Sequence, residues 1–354
     1  FNFIKYMKKE IDPAHDKWSP DHQGVANWEY EMNDKNVQND IGFLLDNCDM
    51  TIAQKFHWYG GLATLNAQRT LYPDKPFYSE FDDHVFAINP DSIAQDSYYP
   101  GSEAEDIVKE QVSRSTGIIV STEYLREVFE KLNPNVWVIP NGIDFKVWDK
   151  LKKPKKRNKK IRIGWAGGGS HVNDLELILP AIDNILKTYK NVEFHFLGGA
   201  PASFLGKDRI HAQVKWYSID KYPQAIRDLD LDIALAPLRD NVFNRGKSNL
   251  RWLEYSALKI PTIASRVEPF KCIESGVTGL LATEVGEWEE HLVNLIESDG
   301  MRHNLGHNAY SKVKKSYNVE NIAKVYSESI KKMLLGAVKF PSRAALVNTL
   351  SGNN

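Results

Sequence analysis

Between residues 237 and 265 the chain reads PLRDNVFNRGKSNLRWLEYSALKIPTIAS. Arg245, Lys247, Ser248 and Asn249 crowd the expected start of a helix there, the positive end of its dipole, where cations are ordinarily disfavoured. An anion resolves that conflict. A diphosphate would take the free helix N–H groups and charge-assisted bonds from Arg245 and Lys247. With a helix running from about 247 to 258, the spacing of four and three puts Lys247, Arg251 and Glu254 on one face. Lys247 and Glu254 then stand about 10 Å apart along the axis. That span resembles the distance from a diphosphate to the ribose of one nucleotide, whose two hydroxyls Glu254 would accept. The bland alternative is an amphipathic helix with a surface lysine–glutamate pair.

A second candidate is the loop Gly167-Gly168-Gly169-Ser170-His171, which follows an apolar run. Successive glycines let backbone approach a ligand closely, and the amides of a following helix favour an anion. The loop lacks the G-x-G-x-x-G spacing, since Val172 breaks it, and it has no Walker lysine and serine; nicotinamide dinucleotide and P-loop readings are rejected. Asp82-Asp83-His84 could clamp a divalent cation, but the phosphate-binding features lie in a separate domain. Asp83 is therefore placed on the acceptor side as a catalytic candidate, or it caps a turn. His84 and His171 are further candidates with a structural role equally open. His195, mid-strand in VEFHFL, reads as a satisfied core histidine, and Trp18, Trp28, His57 and Trp58 read as packing rather than sugar-stacking residues.

The elements that must hold these residues are legible downstream of residue 160. Apolar runs at 161–166, 192–199, 232–237, 260–265 and 279–282 alternate with helical periodicity at 175–189, 222–229 and 247–258, with one more strand expected at 214–217. Helices are expected at 287–297, 301–315 and 319–335. Strands alternating with helices imply an α/β fold built on a parallel sheet covered on both faces. Upstream, strands are expected at 48–54, 75–80, 116–121 and 136–139 and helices at 62–71, 103–113 and 122–131, closed by the turn-forming Pro140-Asn141-Gly142. Residues 1–40 show no clear period. Because the chain starts at Phe1 rather than Met, an N-terminal portion is expected to be missing.

Composition bounds the partners. At 354 residues the chain suits two domains. Lys plus Arg number 45 against 46 Asp plus Glu, so no global field draws it to nucleic acid or anionic lipid. The two cysteines, Cys48 and Cys272, make no disulfide framework and suit a reducing, cytoplasmic setting. No run approaches the roughly 20 apolar residues of a membrane span. LKKPKKRNKK (151–160), with seven basic residues and one proline, reads as a solvated linker; the sharper alternative is a patch for a polyanion or a membrane surface. The expected division is 1–145 as an N-terminal acceptor-side α/β domain, truncated; 146–160 as the basic linker; 161–336 as a Rossmann-like nucleotide-binding domain; and 337–354 as a tail.

The run NRGKSNLRWLEYSALKIPTIAS resembles the donor-binding segment of the family-4-like glycosyltransferases of the GT-B fold (glycosyl transferases group 1). VIPNGID (138–144), KPFYSEFDDHVF (75–86) and IIVSTEYL (118–125) are similar to segments of their N-terminal domain. The resemblance covers about 46–335. It implies two Rossmann-like domains facing a cleft, a nucleoside-diphosphate-sugar donor such as a UDP-sugar, and retaining transfer without a bound metal or other cofactor. Glu254 matches the glutamate that holds the ribose. Gly167, Gly168, Gly169, Ser170, His171, Pro237, Ser248 and Asn249 join it as donor-binding candidates, with Arg245, Lys247 and Asp83 as catalytic ones. Three departures stand out. Where the family often carries an upstream glutamate that touches the sugar, this chain has Gly246; Asn173-Asp174 lies where a lysine–glycine pair is usual, so Arg245 and Lys247 are expected to take over the phosphate work; and the glycine-rich loop that opens the N-terminal domain is not in the sequence. The acceptor stays open among a glycan, a lipid-linked sugar, a protein and a modified DNA base. A sugar-nucleotide 2-epimerase and a non-catalytic nucleotide-sugar-binding module are the other readings.

Overall fold

The computed structural model describes residues 49–54, 59–88, 100–154, 160–168 and 172–336. These fall into two compact units. One holds the described parts of 49–81, 98–139 and 324–336; the other holds those of 82–97 and 140–323.

In the first unit, strands β1 (Thr51–Gln54), β2 (Phe77–Phe81), β3 (Gly117–Val120) and β4 (Val136–Val138) form a parallel sheet in that order. Helices α1 (Tyr59–Leu71), α2 (Glu103–Arg114) and α3 (Glu123–Phe129) connect them. Ser102 and Thr122 start α2 and α3 by accepting from the amides of Glu105 and Leu125, the usual way to satisfy a first-turn donor. Every residue of β3 is buried, as a central parallel strand requires. Leu62, Leu65, Phe77 and Ile107 pack together as its core.

The second unit has six parallel strands: β5 (Ile161–Ala166), β6 (Val192–Leu197), β7 (Ile210–Gln213), β8 (Ile233–Ala236), β9 (Thr262–Ser265) and β10 (Leu280–Ala282). Their order is β10-β9-β8-β5-β6-β7. From β5 the chain winds outward through β6 and β7, returns to the other side of β5 with β8, and winds outward again. This is the doubly wound order whose reversal, between β5 and β8, opens a crevice at the carboxyl ends of the strands. After a short 3-10 turn (Val85–Ala87) and the one-turn α4 (Phe145–Trp148), the helices are α5 (Val172–Leu175), α6 (Leu179–Thr188), α7 (Tyr222–Asp228), α8 (Val242–Arg245), α9 (Leu250–Ala257), α10 (Val285–Glu297), α11 (Asp299–Ser316) and α12 (Val319–Leu335); the last runs on into residues of the first unit.

Two apolar layers cover the sheet. Ile163, Trp165, Phe194 and Phe196 meet α6 and α10 on one face; Ala166, Leu197, Ala234 and Ala236 meet α7, α9 and α11 residues on the other. The alternation follows from the period of two along each strand. Gly306 on α11 is needed for close packing, since a Cβ there would lie 2.1 Å from the Lys259 carbonyl oxygen. Two sequence expectations are corrected. The third strand of this sheet is Ile210–Gln213, not 214–217; Val214 and Trp216 are exposed. The helix expected from Lys247 begins at Leu250, and a separate one-turn helix, Val242–Arg245, precedes it.

Candidate functional site

The crevice beside β5 is built from its last residues. The Tyr255 hydroxyl is 2.9 Å from the Ala166 amide, which donates to it, and this ties α9 to the end of β5. Gly167 follows. A Cβ there would fall 2.1 Å from the Trp165 ring and 2.7 Å from an Arg251 nitrogen, so the glycine lets Trp165 and Arg251 close over the strand end. Arg251 is the hub. Its guanidinium lies 5.7 Å from the Trp165 ring centroid, donates to the Tyr222 hydroxyl at 2.6 Å and donates to Glu254 Oε2 at 3.0 Å.

Glu254 is only 4% exposed. Burial pushes its carboxyl up to about 7, with the Arg251 charge and hydrogen bond pulling it back. Burial likewise raises the Tyr222 and Tyr255 hydroxyls, the latter to about 12. Arg251 moves the other way from its burial: the electronegative groups around it hold its proton above the ordinary guanidinium range. The result is a buried carboxylate with a fixed cation, able to accept two hydroxyl donors on its remaining lone pairs.

The loop after β8 supplies the rest. Pro237 is buried at the strand end, and Leu238 donates its amide to Ser265 Oγ at 2.8 Å. Buried Asp174 accepts from the Arg239 amide at 2.9 Å and from Asn244 Nδ2 at 3.2 Å, which fixes the loop's course. Asn241 caps α8 by accepting from the Asn244 amide. Arg245, at the end of α8, makes a two-pronged exposed pair with Asp240 at 2.7 and 3.1 Å. The pair borders an open hollow of about 260 Å³ that Arg266 and Lys271 also line.

Lys247 lies in the connection before α9, where its ammonium is 2.8 Å from Asp83 Oδ1 and 4.4 Å from the Phe243 ring centroid. The face shared by Lys247, Arg251 and Glu254 therefore reduces to Arg251 and Glu254, and the helical rise no longer spans from Lys247. Ser248 Oγ accepts from Asn141 Nδ2 at 2.8 Å, and Asn249 Nδ2 points to Cys272 Sγ at 3.2 Å. Asn249 gives no side-chain cap to α9, whose first turn carries no acidic residue. The first-turn amides of α9 therefore donate no bond to the side chain of their cap residue. Gly168 is half-buried, its Cβ direction facing the Trp216 ring at 3.4 Å. Gly169, Ser170 and His171 lie outside the described residues, as do Trp18, Trp28, Cys48, His57 and Trp58. His84 is buried. Sequence reasoning missed Tyr222 and Trp165 as partners of Arg251; neither neighbours it in the chain.

Residues 160–298 match the model of glycosyl transferases group 1. That stretch is a group 1 glycosyltransferase domain. No curated protein matches the chain in sequence. Among solved structures it is similar to HepE of Anabaena in complex with UDP and glucose (13% identity, TM-score 0.63, covering 82% of this chain and 81% of that one). It is also similar to the pneumococcal O-GlcNAc transferase GtfA with UDP and GlcNAc (15%, 0.60, 84% and 60%). A third is a mutant of S. aureus TarM with Fondaparinux, alpha-GlcNAc-glycerol and UDP (16%, 0.53, 72% and 50%). The chain spans about half the length of TarM. These neighbours are GT-B glycosyltransferases, and GT-B is the fold of this chain. Among the described residues no helix is long and apolar enough to cross a membrane.

Proposed function

We propose that the chain transfers a sugar from a UDP-sugar to an acceptor, with retention and without a metal ion on the donor diphosphate. The observation that carries this reading is the buried Glu254 carboxylate, fixed by Arg251 at the reversal point of the sheet in a group 1 glycosyltransferase domain. UDP is chosen because the solved neighbours hold it.

On binding, Glu254 accepts the ribose hydroxyls in its carboxylate form, which the Arg251 charge favours against the effect of burial. Lys247 exchanges its bond with Asp83 for one with the diphosphate, which carries more negative charge. As the bond from sugar to phosphate breaks, negative charge grows on the leaving diphosphate. Lys247 and the uncapped amides of α9 are positioned to oppose it, a task that a divalent cation would otherwise perform. Asp83, once released by Lys247, is a carboxylate able to take the acceptor's proton. Gly246 offers no carboxylate to the sugar, which keeps a non-catalytic nucleotide-sugar-binding module as the second reading.

Incubation with UDP-glucose or UDP-GlcNAc in EDTA tests the proposal, with released UDP and the sugar product as readouts. Release of UDP and a glycosylated product are expected. Binding without UDP release would favour the binding module, and an epimerised donor would favour the epimerase. Activity lost in EDTA and restored by Mn²⁺ would overturn the metal-free assignment.

A further inference from the structure

The same sheet carries a second concentration of ligand-type side chains on β6 and the edge strand β7. Glu193 and His195 are two residues apart on β6, so both leave one face. On the neighbouring edge strand, His211 pairs in register with His195. His195 Nε2 lies 3.2 Å from Glu193 Oε1, and His211 Nε2 lies 3.7 Å from Glu193 Oε2. The two imidazole centroids are 4.7 Å apart with their planes tilted by 30°. One ligand atom from each of the three residues falls within 4.8 Å of the others.

These separations suit one ion. Tetrahedral zinc, with bonds of about 2.0–2.2 Å to nitrogen and oxygen, holds neighbouring ligand atoms roughly 3.3–3.5 Å apart. The two measured histidine–carboxylate separations bracket that value, and rotation of the His211 ring, whose side chain is 53% exposed, closes the third. His195 Nε2 is buried and makes no well-formed hydrogen bond, although it faces the carboxylate. A buried ring nitrogen in that condition calls for a partner. The charge balance sets a limit: Arg162 Nε and Lys160 Nζ also bond Glu193, at 3.0 and 3.3 Å. A carboxylate has about four acceptor positions, so both cations leave room for an ion on the histidine side.

We infer that Glu193, His195 and His211 form a zinc site of two imidazoles and one carboxylate, with its fourth position open to water, clamping edge strand β7 to β6. Glu193 and His195 stand four and two residues before the end of β6, about 13 and 7 Å along the strand, and His211 lies on edge strand β7, whereas the crevice lies between β5 and β8. The inference does not depend on the transferase reading. Metal removal here is expected to lower thermal stability rather than to abolish donor binding.

The test uses the untagged full chain in metal-free buffer, titrated calorimetrically with Zn²⁺, with Co²⁺ as a second probe for the visible bands of a tetrahedral ion. One equivalent is expected to bind and to raise the melting temperature. His211→Ala, which removes an exposed ring and is checked for folding by circular dichroism, is expected to weaken binding by more than about tenfold, because even the loss of a ligand's outer partner costs about 10–100-fold. Two results would overturn the site: no Zn²⁺ binding by the wild-type chain, or equal affinity in His211→Ala, which would assign the ion to other histidines among the ten in the chain.

Discussion

Removing the Arg251 guanidinium is the sharpest perturbation of the buried site, because its cost should depend on pH in a defined way. Glu254 has a folded-state pKa of about 7 against roughly 4.3 for an unperturbed glutamate. Its folded value is raised, so the stability it contributes is fully present below the unfolded pKa and is lost as pH rises through the folded one. In the wild type that loss stops near pH 7, where the folded carboxyl also ionises. Arg251→Ala removes the only group that pulls the carboxyl down, so in the variant the loss continues upward at about 1.4 kcal/mol per pH unit. Between pH 7 and 9 the gap between variant and wild type should widen, by at most about 2.7 kcal/mol. Below pH 6 the gap should be flat, at about 1–3 kcal/mol, from the lost bond to Tyr222 and the lost contact with Trp165. Urea unfolding followed by tryptophan fluorescence at pH 6 and pH 9 measures both numbers. Glu254→Gln provides the control, since in that background the Arg251 effect should no longer vary with pH; Arg251→Lys, which keeps the charge, should largely restore the flat gap. A gap that is equal at both pH values, or one that still widens in the Glu254→Gln background, refutes the assignment of the shift to this pair.

Two further outcomes are expected at the same site. Lys247→Ala should weaken UDP binding about tenfold or more, the worth of one charge-assisted bond, whereas Asp83→Asn should leave UDP binding equal or tighter, because it frees Lys247 from its 2.8 Å partner; calorimetry on both variants checks the exchange, and equal weakening by both would argue that Lys247 stays with Asp83. Under the transferase reading, affinity for a UDP-sugar, which has no phosphate group titrating near neutrality, should fall as pH drops through about 7, the Glu254 value, because only the carboxylate form would accept both ribose hydroxyls; an affinity constant down to pH 5 would remove Glu254 from the ribose.

How much of this is legible in the sequence depends on whether a residue's role is set locally or across the fold. Ile233–Ala236 announces itself because burial on both faces leaves an unbroken apolar run, and Ile161–Ala166 does so through its buried second half, despite Arg162 near its start. Helix α12 covers the expected residues, 319–335, since its periodicity is its own. Strand β7 reads four residues late, on VKWY rather than IHAQ, because an edge strand is held by its register with β6 and not by its own hydrophobicity. The start of α9 reads three residues early: Arg245 and Lys247 look continuous with Leu250 until α8 ends at the Gly246 turn. The Asn241 cap of α8 is a local signal within reach of sequence reasoning. The Asp174 contacts, 65 and 70 residues away in sequence, and the Tyr222–Arg251 bond are not, since only the folded sheet brings these segments together.

Gly246 bears on where catalytic stabilisation can come from. Its backbone, at φ −76° and ψ −13°, is in the right-handed region open to every residue, so the turn itself does not demand glycine. The absent carboxylate at this position is therefore a chemical feature of the site, not a consequence of backbone geometry. Without an acidic side chain beside the sugar, charge developing on the ring has no partner from residue 246. Under the transferase reading, stabilisation then weighs on the leaving-group side, where Lys247 and the first-turn amides of α9, which Asn249 does not cap, would meet the diphosphate. A cation whose interaction strengthens as the leaving charge grows acts more on the transition state than on the bound donor. Under the transferase reading, Lys247→Ala should then lower kcat by more than it raises the UDP-sugar KM, while loss of the ribose contact at Glu254 should act mainly on KM.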